Sequence, residues 1–333
     1  MPDERRTGRT SPTGENAQIM EFIDIEHLRG GERIEQPFLL KRCDLRQTRA
    51  GKFYLDMIVG DGTGTLSAKK WDANEGLFEA LRNADIALIK GTVETYKDEL
   101  QVVVDQIRTV KTSEVDISRL LPHTTQDVGA MWQKMLNVAA SIRNPHLRAL
   151  VEKIMNDPSI AEGFKSSPAG LSYHHAYIGG LLEHTVSVLD VAEKVLPNYP
   201  QLDRDLLLAG IILHDIGKMG ELSRETGFKY TDKGELLGHI VLGVLMVEDK
   251  VREIPEFPEE LLMRLQHLIL SHHGEYELGS PKLPMTIESI ALHHLDNLDA
   301  KLAAFTAAIE SEGEAEGNWT QYNKMFQRRL YRG

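Results

Sequence analysis

Cysteine is nearly absent: Cys43 is the single one in 333 residues. An intrachain disulfide is therefore excluded, which fits a reducing compartment. Long hydrophobic runs are missing as well. No stretch approaches the roughly 18 apolar residues of a bilayer span, and the opening residues lack the form of a signal peptide. A soluble, cytoplasmic protein with no membrane partner is the expectation. Basic excess is the third absence, since 38 Lys and Arg face 50 Asp and Glu for a net charge of -12. A protein coated uniformly for polyanions is thereby excluded, whereas a local groove for a single strand is not. The deficit is uneven: residues 21–112 hold 16 acidic and 14 basic side chains, and residues 113–333 hold 31 and 21. Neither an internal repeat nor a coiled-coil heptad appears, so a homo-oligomer is possible but of no specified number.

The length implies two or more packed units. Residues 1–18 carry no periodic apolar positions and read as a disordered tail. Residues 19–110 read as strands. Phe53, Leu55, Met57 and Val59 alternate with Tyr54, Asp56 and Ile58, DG and TG steps mark turns, a short helix fits 75–83, and two strands flank a KDE turn. Three strands, a helix and two strands is the order of a five-stranded OB-type barrel, a fold that commonly takes single-stranded nucleic acid. Arg46, Tyr54, Lys69, Lys70, Trp71 and Tyr96 are the candidate contacts. Each has a structural alternative, with Trp71 capping the core and Lys69-Lys70 forming a solvated edge. Residues 111–125 read as a linker and 126–312 as an all-α bundle, with helices running from 175 to about 310. Residues 313–333 form a tail whose last 17 positions include four basic and no acidic residues.

The chemistry concentrates in the helical part, where ten of the thirteen histidines fall between 174 and 294. His184, the adjacent pair His214-Asp215, then His239, His272-His273 and Asp296 lie in otherwise apolar helices. There they are costly to bury unless something coordinates them. Imidazole with carboxylate suits first-row divalent metals, and a bridging carboxylate can hold two ions about 3.5–4 Å apart for phosphoester hydrolysis. Lys218 follows His214 by four residues, on the same face of a continuous helix. Asp299 follows Asp296 by three, placed to orient a ligand or to pair with an arginine. Glu183 points about 100° away from His184. Two helical glycines at 179 and 180 would be tolerated where another backbone passes closely.

HDIGK, preceded by GGLLEHT and followed by SHHG and HHLDNLDA, resembles the HD-domain metal-dependent phosphohydrolase superfamily. With the OB-type segment in front, the chain is similar in particular to the YhaM-like 3'→5' exoribonucleases, over roughly residues 20 to 310. The resemblance implies a primary site of His184, His214, Asp215 and Asp296. It adds His239, His272 and His273 as ligands of a second ion, with Asp215 as the bridge; the competing single-metal reading leaves His239 or one of the doublet as a phosphate-binding or acid group. Two divalent transition-metal ions are implied, manganese first and iron, cobalt, nickel or zinc as alternatives. Lys218 becomes a candidate for the scissile phosphate. His174, in a loop by analogy with the family's HHA stretch, is another, and His293 is a core or supporting residue. The implied reaction is metal-assisted release of nucleoside 5'-monophosphates from the 3' end of single-stranded RNA, with single-stranded DNA as the alternative substrate. Two rivals stand beside it. One is a nucleotide or cyclic-dinucleotide phosphohydrolase, although EYELGSPKLP follows SHHG in place of a GYP extension. The other is a nucleic-acid-binding protein with a catalytically silent HD fold.

Overall fold

The structure, a computed structural model, describes residues 22–171, 175–223, 229–310 and 317–333. The sequence positions 1–18, read above as a tail, and His174 lie outside these. Two compact units are present, one built from residues up to 59 and from 65–109, the other from 60–64 and from 110 onward.

The first unit is a closed barrel. Its strands are β1 (Arg33–Gln47), β2 (Phe53–Gly60), β3 (Thr65–Trp71), β4 (Ile86–Tyr96) and β5 (Glu99–Thr109), with helix α1 (Glu75–Leu81) between β3 and β4. Around the barrel the order is β1-β2-β3-β5-β4. β1 runs antiparallel to β4, with Phe38 opposite Ala87, and β3 runs parallel to β5. The alternation in β2 places Leu55, Met57 and Val59 in the core beside Phe38, Ile89 and Val102. Lys97 and Asp98 turn β4 into β5 with positive φ at both positions, the backbone that two-residue hairpins favour. Gly91 sits at a register shift between β4 and β5, where a Cβ would lie 2.4 Å from the Val103 carbonyl. Only glycine fits there.

The second unit is largely helical: α2 (Val128–Ala140), α3 (Pro145–Met155), α4 (Pro158–Ser166), α5 (Gly180–Val195), α6 (Arg204–Leu213), α7 (Lys218–Glu221), α8 (Asp232–Val251), α9 (Glu259–Ser271) and α10 (Ile287–Glu310). Helix starts follow the capping chemistry of the sequence. Asp127, Asn144, Asp157, Asp203 and Thr231 each accept a backbone N–H, and Pro145 and Pro158 open α3 and α4. α6 is buried all round from Leu206 to Leu213, between α5, α9, α10 and α3. Whatever follows its last residue is therefore held in the middle of the bundle. His214 and Asp215 come next.

Several local expectations are corrected. α5 starts at Gly180 instead of 175: Gly179 has φ +83, and a Cβ on Gly180 would meet the His175 carbonyl at 2.0 Å. The two glycines thus make a helix start tight against the preceding loop, and neither lies in mid-helix. α6 ends at Leu213, so His214 and Lys218 do not share one regular helix. The stretch read as a linker belongs to the same compact unit as the helices, and its Leu120 and Leu121 are buried. The loop after α7 contains the two-residue strands β6 (Leu222–Ser223) and β7 (Lys229–Tyr230), and the basic tail turns back on itself through the bridges Trp319–Tyr331 and Asn323–Arg328. No described helix is long and apolar enough to cross a membrane.

Candidate metal centre

Side chains from five helical segments converge where α6 ends. Nε2 of His184, on α5, lies 3.3 Å from Nε2 of His214 and 3.1 Å from Oδ1 of Asp296, on α10. Oδ2 of Asp215 is 3.4 Å from Nε2 of His214 and 3.7 Å from that of His184. The other carboxylate oxygen of Asp215 faces elsewhere. Its Oδ1 is 3.6 Å from Nε2 of His239, on α8, and 3.5 Å from Nε2 of His272, at the end of α9. The His273 ring stands beside both, its centroid 4.3 Å from that of His272 and 5.1 Å from that of His239. Besides His175–His184–Asp299, which shares His184, two groups close enough to hold a divalent metal result, His184–His214–Asp296 and His239–His272–His273. Asp215 stands between them.

Each ring is oriented from behind. Nδ1–H of His214 donates to the Ile211 carbonyl at 2.8 Å, that of His272 to Ile269 at 2.7 Å, and that of His273 to Leu278 at 2.7 Å. Nδ1 of His239 lies 2.9 Å from Oε1 of Glu221, which also accepts the His239 backbone N–H. Nδ1 of His184 lies 2.7 Å from Oδ2 of Asp299. Fixing Nδ1 as the donor leaves Nε2 as a lone pair, the tautomer that a metal requires. Gly238, with φ +70 inside α8, is the break that lets His239 face Glu221. α7 and α8 also approach very closely, since a Cβ on Gly217 would lie 1.9 Å from the His239 carbonyl.

Acceptors therefore face acceptors. In the first cluster the Nε2 atoms of two imidazoles and two carboxylate oxygens crowd within 3.1–3.8 Å, an arrangement that needs a proton on His184 or a metal cation between them. In the second, Oδ1 of Asp215, Nε2 of His239 and Nε2 of His272 are buried without a hydrogen-bond partner among the described residues. A buried polar group left unmet costs about 1–3 kcal/mol, against a whole-domain stability of about 5–15 kcal/mol. Three together are a heavy burden unless cations satisfy them. The residues thus fit divalent metal, and their mixed nitrogen and oxygen donors suit first-row transition ions. Protonation reports the same demand. Burial works against a charge on His184, yet hydrogen bonds to Asp296 and Asp299 push its pKa up to about 9. Burial opposes ionisation of Asp215 too, but Lys218 and His214 hold it well below the ordinary carboxylate range. Burial and the neighbouring His272 push His273 down to about 4, leaving it neutral.

Lys218 is buried beside the cluster and donates from Nζ to Oδ2 of Asp215 at 2.6 Å. Asp299 gathers His184, His175 at 3.1 Å, and the Ser187 hydroxyl. His293 does not enter either cluster; its Nδ1–H donates to the backbone carbonyl of His272 at 2.9 Å. Glu183 turns to the Thr124 hydroxyl. His175 reaches the site from the loop before α5, with Nε2 at Asp299 and Nδ1 at the Tyr177 hydroxyl. Glu221 had no signal in the sequence beyond being one more acid. Ser187, three residues after His184, was legible in principle as a neighbour on the same helical face.

On the barrel, the rings of Tyr54 and Trp71 lie 4.9 Å apart, and Lys69 stands 5.8 Å from the Tyr96 ring centroid. Trp71 is 42% exposed, so it does not cap the core. Lys70 precedes it on β3, half-buried. Arg46 pairs with Asp56 at 3.1 Å and Asp44 at 3.5 Å.

Comparison with known proteins divides the chain in the same way. Residues 181–301 match the family model described as the HD domain, and residues 41–110 match that of the OB-fold nucleic acid binding domain. Among solved structures, the second OB-fold domain of replication protein A from Methanococcus maripaludis is similar at 19% identity. That match covers 26% of this chain and 93% of the other, with a TM-score of 0.22. A replication protein A heterotrimer bound to ssDNA is similar at 19% identity, covering 31% of this chain and 72% of the other, with a TM-score of 0.20. An OB-fold barrel followed by an HD-domain helical bundle is the architecture of this chain.

Proposed function

We propose that the protein is a metal-dependent 3'→5' exonuclease that hydrolyses single-stranded RNA to nucleoside 5'-monophosphates. The observation that carries the reading is Asp215, whose two oxygens face two separate groups of imidazole lone pairs. In this assignment His184, His214 and Asp296 hold one ion, His239, His272 and His273 hold the other, and Asp215 is shared. Manganese is the first candidate, with iron, cobalt, nickel and zinc as alternatives. Such ions, when bound, supply Lewis-acid polarisation of phosphoryl oxygens and a lowered pKa for the attacking water.

The chain's own residues do the rest. Ile211, Ile269 and Leu278 carbonyls, with Glu221 and Asp299, keep the ligand rings from turning. Lys218, cationic and held at Asp215, is placed to meet a non-bridging oxygen of the scissile phosphate. In the overall reaction a bond forms between water oxygen and phosphorus, and the bond from phosphorus to the preceding O3' breaks. The departing oxygen takes up a proton. Tyr54, Trp71, Lys69 and Tyr96 offer the barrel's stacking faces and charge to the strand, and tethering would raise its local concentration at the helical unit. The preference for RNA over DNA follows the family resemblance and no particular residue.

End-labelled single-stranded RNA, the matching DNA and free nucleotides, each incubated with manganese, test the reading together. Mononucleotides should be released from RNA, and His214→Ala or Asp215→Ala should abolish release while leaving strand binding intact. Full activity in those variants would sink the mechanism. Hydrolysis of free nucleotides alone would instead favour a nucleotide phosphohydrolase.

A further inference from the structure

Residues 317–333 lie outside both matched regions. They carry Lys324, Arg328, Arg329 and Arg332 with no acidic side chain, and four aromatics. The segment folds back as a small antiparallel hairpin. Thr320 N–H donates to the Leu330 carbonyl at 2.9 Å, Arg332 N–H to Asn318 at 2.8 Å, and Asn323 N–H to Arg328 at 2.9 Å. Because side chains alternate across such a pair, the hairpin has two unlike faces. Thr320 and Leu330, each 1% exposed, point inward, and Phe326 packs on Phe305 of α10 with ring centroids 5.1 Å apart. Trp319 and Tyr331, opposite one another, point outward at 49% and 54% exposure, their ring centroids 5.1 Å apart.

The outward face has a definite chemistry. The Arg329 guanidinium stands 5.9 Å from the centre of the Trp319 ring. Arg328 and Arg329 donate through Nε to the backbone carbonyls of Phe326 and Thr320 at 2.8 and 3.0 Å, bonds that orient the guanidiniums without neutralising them. A cross-strand aromatic pair alone could serve only to hold a hairpin together. Here Leu330, Thr320 and Phe326 already anchor the hairpin from its inner side, and the outer rings keep half their surface open among cations. The sequence leading in carries Glu310, Glu312, Glu314 and Glu316, so the positive charge is a local property of the hairpin.

We infer that this hairpin is a second contact for single-stranded nucleic acid, with Trp319 and Tyr331 stacking bases and Arg328 and Arg329 meeting phosphates. Open π-faces interleaved with guanidiniums are what a sequence-tolerant strand site requires, and an acidic peptide would use the charge but not the rings. The inference rests on the reading of the chain as a single-strand nuclease and extends it beyond the barrel.

The test uses the full-length protein with chelator, so that nothing is cut, and a fluorescein-labelled homopolymeric strand followed by anisotropy over a salt series. Trp319→Leu with Tyr331→Leu should weaken binding about tenfold or more at fixed salt. Arg328→Gln with Arg329→Gln should weaken it and lower the salt slope by about 1.4, at about 0.7 per phosphate contact. A thiouridine-containing strand should photocrosslink to the 317–333 peptide of the unaltered protein, which decides the matter even where a variant misfolds. Unchanged affinity and slope in both folded variants, or crosslinks found only elsewhere, would overturn the inference. So would competition by an acidic peptide that leaves the leucine pair without effect. A protein that cuts strands but binds them equally well with the altered hairpin refutes this inference alone. One that binds through the hairpin and cuts nothing refutes the proposed activity alone.

Discussion

Oδ2 of Asp299 lies 2.7 Å from Nδ1 of His184, and that contact decides which ring nitrogen of His184 faces the first cluster. Asp299→Asn replaces a full negative charge by an amide that must share its one acceptor oxygen among His184, His175 and Ser187. Metal affinity at the His184–His214–Asp296 cluster should fall by about 10–100-fold with the fold retained. Titration of metal-free protein with manganese, alongside circular dichroism, measures both. Unaltered affinity would remove Asp299 from any positioning role.

Glu221 plays the corresponding part for His239, accepting from its ring and from its backbone. Glu221→Gln should lower the second metal's occupancy and leave the first cluster loaded, so that elemental analysis moves from two ions per chain toward one. Equal loss from both clusters would show that Glu221 supports the bundle and not a particular ligand.

His184 makes the metal-free protein sensitive to alkali. Its pKa is raised above the ordinary 6.5 to about 9 in the fold, because bonds to Asp296 and Asp299 outweigh burial. The folded state therefore binds the proton more tightly than the unfolded one. The resulting stability is fully present below pH 6.5 and is lost as pH rises through 9. The melting temperature of chelated protein should fall by several degrees across that window, whereas manganese-loaded protein should stay nearly level. A flat profile for the chelated form would mean that the carboxylates do not hold a proton on His184.

Gly217 marks the closest approach of α7 to α8. Gly217→Ala would place a methyl group 1.9 Å from the His239 carbonyl and 2.6 Å from the Gly243 nitrogen. Neither backbone atom can rotate away, so the loss should reach the upper end of the about 1–3 kcal/mol seen for overpacking, or exceed it. Denaturant unfolding would measure it. A near-neutral substitution would show that the two helices separate at little cost.

Much of this arrangement was legible before any coordinates. The succession of three strands, a helix and two strands followed from turn residues and the alternation around Leu55, Met57 and Val59. The histidines of the two clusters stood out because polar side chains in apolar helices need a reason. The supporting layer did not stand out. Glu221 is joined to His239 across 18 residues and His175 to Asp299 across 124, contacts that only tertiary packing creates. The glycines at 179 and 180 misled in a physical way, since glycine in a helix and glycine at a left-handed helix start look alike in one dimension. The C-terminal hairpin escaped notice because its two bridges are short and its basic residues dominate the composition.

Asp215 turns one oxygen to each cluster, and this makes their loading interdependent. An ion held in either cluster would fix the carboxylate plane and draw off part of its charge, so the affinity of the other cluster would be altered. Linkage requires the same factor in both directions. The centre should therefore fill with a measurable cooperativity, of whichever sign the shared carboxylate imposes. The concentration of free metal in the surroundings then sets the fraction of chains in which both clusters are loaded.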